Sequence, residues 1–262
     1  VQWKALGSMV GSWNMLIYGT GMYVMEQTSG NSKPARSPIV FFFYFLGLIN
    51  LMFNWGHHTY IVPAAPWIRN VAYFISMTEL LILANIIWQW RKTMNEARKN
   101  YHRMPFRLLS YADGWILLNL TLAIIISVPA WNYYTHGTHI TVAHSMGATI
   151  GINTMLLLAS VFYIIKKEKP EAFEKRKPWV GRGIVITNIA LLIFWASLLG
   201  SGLVKISSKS NNDTFYNMML KCEPWFKVFA YSGTVILLGL FILIYSAFKI
   251  LSGKKGIQTG AE

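Results

Sequence analysis

Trp131-Asn132-Tyr133-Tyr134-Thr135-His136-Gly137-Thr138-His139-Ile140-Thr141-Val142-Ala143-His144-Ser145-Met146-Gly147 brings three of the six histidines to the mouth of one long apolar segment. That segment, Ile140 to Ile165, is long enough to cross a bilayer as a helix. A histidine one turn inside such a helix is poorly hydrated and needs a partner, and imidazole chemistry favours a metal. Residues two apart on a helix point about 200° from one another, so His144 and Met146 project from nearly opposite faces. One span then has the means to ligate two separate metal centres.

The chain around this stretch has 262 residues, of which 54% are hydrophobic and only 13% charged, a balance that belongs to an integral membrane protein. Val1 is not followed by a basic leader or a cleavage site, so no signal peptide is expected and the chain reads as starting within a longer polypeptide. Cys222, the single cysteine, has no partner thiol for a disulfide or a thiolate metal site. A formal charge of +14 raises the question of nucleic acid, but the cations sit between apolar spans and not along one polar face, so lipid is the expected surroundings and no nucleic acid is expected.

Seven apolar segments follow one another: Leu6 to Met25, Ile39 to Trp55, Val71 to Trp90, Leu108 to Val128, Ile140 to Ile165, Ile184 to Val204 and Phe229 to Ile250. Each can span a bilayer with some tilt, which predicts an all-α, polytopic transmembrane bundle of seven spans forming a single domain over residues 1–262. Alternate connections hold eighteen of the twenty-four lysines and arginines, and the six others are Lys4, Arg69, Lys205, Lys209, Lys221 and Lys227. By the positive-inside rule the richer side is cytoplasmic, so the chain enters from outside and ends inside. Trp55, Trp67, Trp90, Trp131 and Trp225 at span ends fit interfacial anchoring. Pro63, Pro66, Pro129, Pro170 and Pro224 fall at or beyond span ends. The polar excursion from Ser207 to Trp225 reads as an outer loop without catalytic character.

This topology gathers the chemistry-bearing residues at one level. The second span ends outward at Gly56-His57-His58 and the fifth starts outward just before His144, so three imidazoles share the outer third. His57 and His58 read either as polar interfacial caps or as ligands for iron, copper or zinc, and a third imidazole at matching depth favours ligation. His144 reads either as a helix-to-helix hydrogen-bonding residue or as a ligand. Its small neighbours Ala143, Ser145, Gly147 and Ala148 leave room for a flat macrocycle such as heme, while Gly147 and Gly151 also have the spacing of close helix packing. Met146 would be ordinary packing but for its place beside His144. Glu79, on the third span, is a costly intramembrane carboxylate of the kind that marks a proton or ion route. Asp113 is the other acidic residue within the spans. His136 and His139 sit just outside the fifth span, as loop residues or as donors to heme propionates. His102, in the most basic connection, reads as solvated.

Over Asn132 to Gly147, above all in the run Asn-Tyr-Tyr-Thr-His-Gly-Thr, and again at Gly56-His57-His58, the sequence resembles the large cytochrome b subunit of bacterial nitric oxide reductases, within the heme-copper oxidase superfamily. The resemblance implies that this chain corresponds to the last seven of the family's twelve spans. It implies that His57 and His58 are two ligands of a non-heme iron or copper, that His144 is the axial ligand of the facing high-spin heme b, and that Glu79 is a glutamate near the active centre. His136 falls where a propionate contact is expected. Two departures accompany it. Where the family has His-x-His, this chain has His144-Ser145-Met146, so a second, low-spin heme would receive a methionine from this span, which raises a heme's potential relative to two imidazoles, or no ligand at all. Where the family has a further histidine and a carboxylate on the preceding span, this chain has Leu6 and Val10, which do not bind metal.

The resemblance further implies a separate membrane chain that supplies the first five helices and a low-spin heme ligand, an electron donor that is a cytochrome c or a quinol, and a place in the bacterial inner membrane. The expected function is that of a heme-binding subunit passing electrons to a heme and non-heme metal site that reduces NO to N2O, with oxygen reduction as a close variant. The alternative is a non-catalytic electron-transfer or assembly subunit that has lost the non-heme metal, which Leu6 and Val10 favour. A transporter would carry an inverted repeat, and the sequence has none.

Overall fold

The structure, a computed structural model, describes residues 15–53 and 65–253; within them the side chains of 47–53, 69, 72, 75, 76 and 79 lie outside the description. Among the described residues the fold is all-α, without strands. In chain order the helices are α1 (Met15–Ser29), α2 (Pro38–Phe53), α3 (Pro66–Thr93), α4 (Glu96–Tyr101), α5 (Arg103–Ser127), α6 (Pro129–Thr135), α7 (His139–Glu168), α8 (Pro170–Ser210) and α9 (Phe215–Leu251).

Four of them, α5, α7, α8 and α9, are long and apolar enough to cross a membrane. The expected spans Leu6 to Met25 and Ile39 to Trp55 run partly outside the described residues, and 15 and 16 residues of their helices are described. Helix α3 has 28 residues, and its stretch from Val71 to Trp88 holds Glu79 as its one charged residue. The outward surface of the bundle is apolar, with Phe74, Leu81, Leu237 and Phe241 all more than 60% exposed, as a surface facing lipid requires.

Helix ends follow local chemistry. Proline occupies the first turn of α3, α6 and α8, where its missing N–H costs nothing. Asn95 caps α4 by accepting from the Arg98 N–H at 2.9 Å, and Thr214 caps α9 by accepting from the Asn217 N–H at 3.3 Å. Two connections expected as loops are helical instead. The basic stretch between the fifth and sixth spans is a one-residue joint at Lys169, whose Nζ donates to the Gly253 carbonyl at 2.7 Å. Most of the excursion from Ser207 to Trp225 belongs to α8 and α9. The Thr214 cap and the Lys221–Asp213 ion pair, at 2.5 Å, start α9 at Phe215, and Pro224 lies inside that helix.

Packing is closest where side chains are small. Helices α8 and α9 form an antiparallel hairpin in which a Cβ on Gly239 would run into Thr187 Oγ1 and one on Gly183 would lie 2.8 Å from Leu243. The buried centre joins α5, α7 and α8 through Leu108, Ala112, Met155, Phe162, Ile184 and Leu191. Within it Trp115 Nε1 donates to Asn188 Oδ1 at 3.0 Å, and Asn188 Nδ2 donates to the Ile184 carbonyl at 2.8 Å.

Candidate functional site

The histidine-bearing stretch is positioned by a sharp break between α5 and α7. Pro129 holds Val128 extended at φ −66°, ψ 123°, which ends α5 and starts α6. Asn132 Nδ2 donates to the Ile126 carbonyl at 2.9 Å and fixes the angle of that break. Gly137, at φ +72°, then reverses the chain in a conformation that a side chain would strain. Thr138 completes the turn: its hydroxyl donates to the Thr135 carbonyl at 2.6 Å and accepts from the Ile140 N–H at 3.3 Å, capping α7. His136 therefore lies on the turn and His139 opens the helix, both half-buried.

His139 faces the hairpin of α8 and α9. Its ring meets Phe226 edge-on at 5.1 Å, and its Nδ1 is buried without a hydrogen-bond partner among the described residues. The neighbouring Ile140 rests on Gly202 of α8, where a Cβ would come within 2.5 Å of Ile140 Cγ1. The α geometry continues through Met146. At 100° and about 1.5 Å per residue, Met146 returns to the side of His139, whereas His144 projects about 140° away and about 7.5 Å deeper. The structure thus puts His144 and Met146 on different sides of α7, as their spacing requires, and separates His139 from His144. Met146 packs against the apolar core.

His144 is half-buried and faces the backbone of Asn119 on α5. The Asn119 side chain is 1% exposed, and neither its Oδ1 nor its Nδ2 finds a hydrogen-bond partner among the described residues. The small residues here divide their roles. Gly147 receives Asn119, whose Oδ1 occupies the space a Cβ would need, and Gly151 receives Trp115 at 2.5 Å from a Cβ position. Ala143 is fully buried. The strip left partly uncovered runs through Thr141, His144 and Ala148, with Ser145 exposed beside it.

Below His144 the helix changes its winding. Gly147–Thr154 is a π-helical stretch, and the Thr154 hydroxyl donates to the carbonyl five residues earlier, at Thr149, at 2.8 Å. Such stretches re-aim the side chains on either side of them and concentrate at functional sites.

The other expected site residues are placed less completely. Glu79 lies on the backbone of α3, with its side chain outside the description; His57 and His58, with Leu6 and Val10, lie outside the described residues. Among the described residues no group of three or more histidine, cysteine or acidic side chains is arranged to hold a metal. His102 is not solvated as its basic surroundings suggest. Its ring is wedged between Tyr101, at 4.7 Å, and Tyr163, at 5.6 Å, with Nδ1 buried. Burial, reinforced by the nearby charges of Lys166 and Arg98, pulls its pKa down to about 4. Asn119, Asn188 and the partner of Asp113, which is Arg91, are polar positions of consequence that histidine counting passes over. The available signal is the cost of an amide inside an apolar span.

The family described as Cytochrome C and Quinol oxidase polypeptide I matches residues 1–235. A curated relative, a nitric oxide reductase subunit of Stutzerimonas stutzeri, is 21% identical over 254 residues, covering 90% of this chain and 52% of that protein. A cryo-EM structure of a heme-copper terminal oxidase dimer superposes with a TM-score of 0.67 at 13% identity, over 86% of this chain and 44% of that one. The chain spans about half the length of the proteins it matches.

Proposed function

The chain belongs to the cytochrome c and quinol oxidase polypeptide I family, and from that membership we propose that it is the heme-binding, C-terminal part of a nitric oxide reductase-like membrane complex. The observation that carries this reading is the half-buried imidazole of His144 on an apolar helix, beside the unsatisfied amide of Asn119 and a strip of small side chains. An imidazole so placed suits the axial position of a heme iron, and the small flanks of Thr141 and Ala148 admit a planar ring system. Relatedness to a nitric oxide reductase subunit over 90% of the chain supports NO as the substrate.

In this reading seven spans cross the bacterial inner membrane, with the N-terminus outside and the C-terminus in the cytoplasm. His144 would hold a high-spin heme b, and His57 and His58 would hold a non-heme iron or copper. Met146, on another side of α7, is what this helix offers a second heme. Bound heme and metal supply the one-electron chemistry by which two NO, two electrons and two protons become N2O and water. The protein's own work is to orient the imidazoles, to keep the site dry, and to deliver protons by way of Glu79. His136 and His139, at the head of α7, would donate to heme propionates. A separate membrane chain supplies the remaining helices and a low-spin ligand, and a cytochrome c or quinol supplies electrons.

A second reading, a non-catalytic electron-transfer or assembly subunit, is favoured by Leu6 and Val10. One set of measurements separates the two. Pyridine hemochrome and total-metal analysis of the purified complex should give heme plus one further metal per complex, with heme loss in His144→Ala and metal loss in His57→Ala. Heme without further metal supports the second reading, a heme content undiminished by His144→Ala overturns both, and oxygen consumption without NO turnover makes the complex an oxygen reductase.

A further inference from the structure

We propose that the groove between the basic ends of α5 and α8 is a binding site for one anionic phospholipid. The groove encloses about 580 Å³ and is lined by Arg103, Arg107, Lys177 and Arg182 together with apolar side chains that include Met104 and Ile186, and by no acidic residue. Its two kinds of lining are separated along the helices. Arg103 and Arg107 lie in the first two turns of α5, Lys177 and Arg182 in the third and fourth turns of α8, and the apolar run of α8 begins directly after Arg182. That order, charge at the headgroup level and hydrocarbon beyond it, matches a phosphate diester with its acyl chains.

Lys177 pairs with Glu174 at 2.6 Å, but Arg103, Arg107 and Arg182 form no ion pair among the described residues. Arg182 is held over the Trp179 ring at 5.0 Å, and Arg107 lies 3.4 Å from the position of a Cβ on Gly181, so the absence of a side chain there lets its guanidinium settle on the groove floor. Like charges gathered round one cavity repel one another, and an anion relieves that repulsion. Arginine presents paired N–H donors suited to phosphate oxygens. A soluble phosphate would use the cations alone; the apolar lining has a use only for a ligand with a hydrocarbon tail.

The test is native mass spectrometry of the purified chain in detergent, titrated with phosphatidylglycerol or phosphatidylcholine, with inorganic phosphate as soluble competitor. One phosphatidylglycerol should be retained in preference to phosphatidylcholine. The triple variant Arg103→Gln, Arg107→Gln, Arg182→Gln should weaken it about tenfold or more, given the usual contribution of each cation at an anionic headgroup. A matched triple variant of Lys33, Lys92 and Lys175 to Gln should stay within about twofold of the parent. Gly181→Leu, which fills the floor without removing charge, should also lose the lipid and serves if the arginine variant does not fold. Equal retention of both lipids, equal loss in the matched variant, or displacement by millimolar inorganic phosphate would each overturn the proposal, the last by identifying a phosphate site.

Discussion

Arg91 donates from Nε at 3.0 Å and from Nη2 at 2.9 Å to the same oxygen of Asp113, Oδ2, and so ties the end of α3 to α5. The Asp113 side chain is only 3% exposed, and its Oδ1 is buried without a hydrogen-bond partner among the described residues. Removing the arginine leaves a buried, uncompensated carboxylate. Arg91→Met should therefore lower stability by about 3 kcal/mol. Adding Asp113→Leu should restore most of it. Denaturant unfolding in detergent reads both; an Arg91→Met protein as stable as the parent would show that water already satisfies Asp113.

The Asn188 amide stitches α5 to α8 through Trp115. Asn188→Leu keeps the volume and loses the bonds, and polar contacts of this kind inside membrane bundles contribute about 1 kcal/mol. The expected loss is of that size, with a change in tryptophan fluorescence as the Trp115 N–H loses its acceptor. A loss well above it would mean that the amide also fixes helix register.

Gly202 is where α8 meets the head of α7, with a Cβ position 2.5 Å from Ile140 Cγ1 and 2.9 Å from the Ile140 nitrogen. The nitrogen is backbone and has nowhere to go. Gly202→Ala should cost about 1–3 kcal/mol by overpacking. Gly19→Ala, with nothing within 4 Å of its Cβ position, should be neutral or slightly stabilising. Equal effects of the two substitutions would refute the close approach.

His102 supplies a pH dependence whose sign is fixed by its depressed pKa of about 4. An unfolded chain takes up this proton near 6.5, the folded protein only near 4. Between those values the unfolded state binds more protons, so this contribution to stability is complete above pH 6.5 and is lost as pH falls toward 4. Thermal melts across the window should converge for the parent and His102→Gln proteins at acid pH, and an imidazole NMR titration near 6.5 would contradict the burial.

What could be read from the chain and what could not have separate causes. Long apolar runs report helices directly, so α5, α7, α8 and α9 are each foreshadowed in position. Helix ends beyond the apolar core are set by caps such as Thr214 and by joints such as Lys169, and hydropathy is silent about both. At the site, spacing alone put His144 and Met146 on different sides of one helix, because that depends only on α geometry. It had no means of placing His102 against Tyr163 or Asn119 against Gly147, because those contacts join residues far apart in the chain. The small residues around His144 had two readings, and Gly147 and Gly151 serve helix contact.

The π-wound stretch Gly147–Thr154 makes the two halves of α7 rotationally independent of a single period. The N-terminal half aims His144; the C-terminal half aims Leu156 and Phe162 into the centre of the bundle. Restoring ordinary winding at the same residue count would keep the packing of the C-terminal half while swinging the imidazole toward another sector. Evolution therefore has, at this one point, a way to redirect the ligand without redesigning the scaffold that carries it.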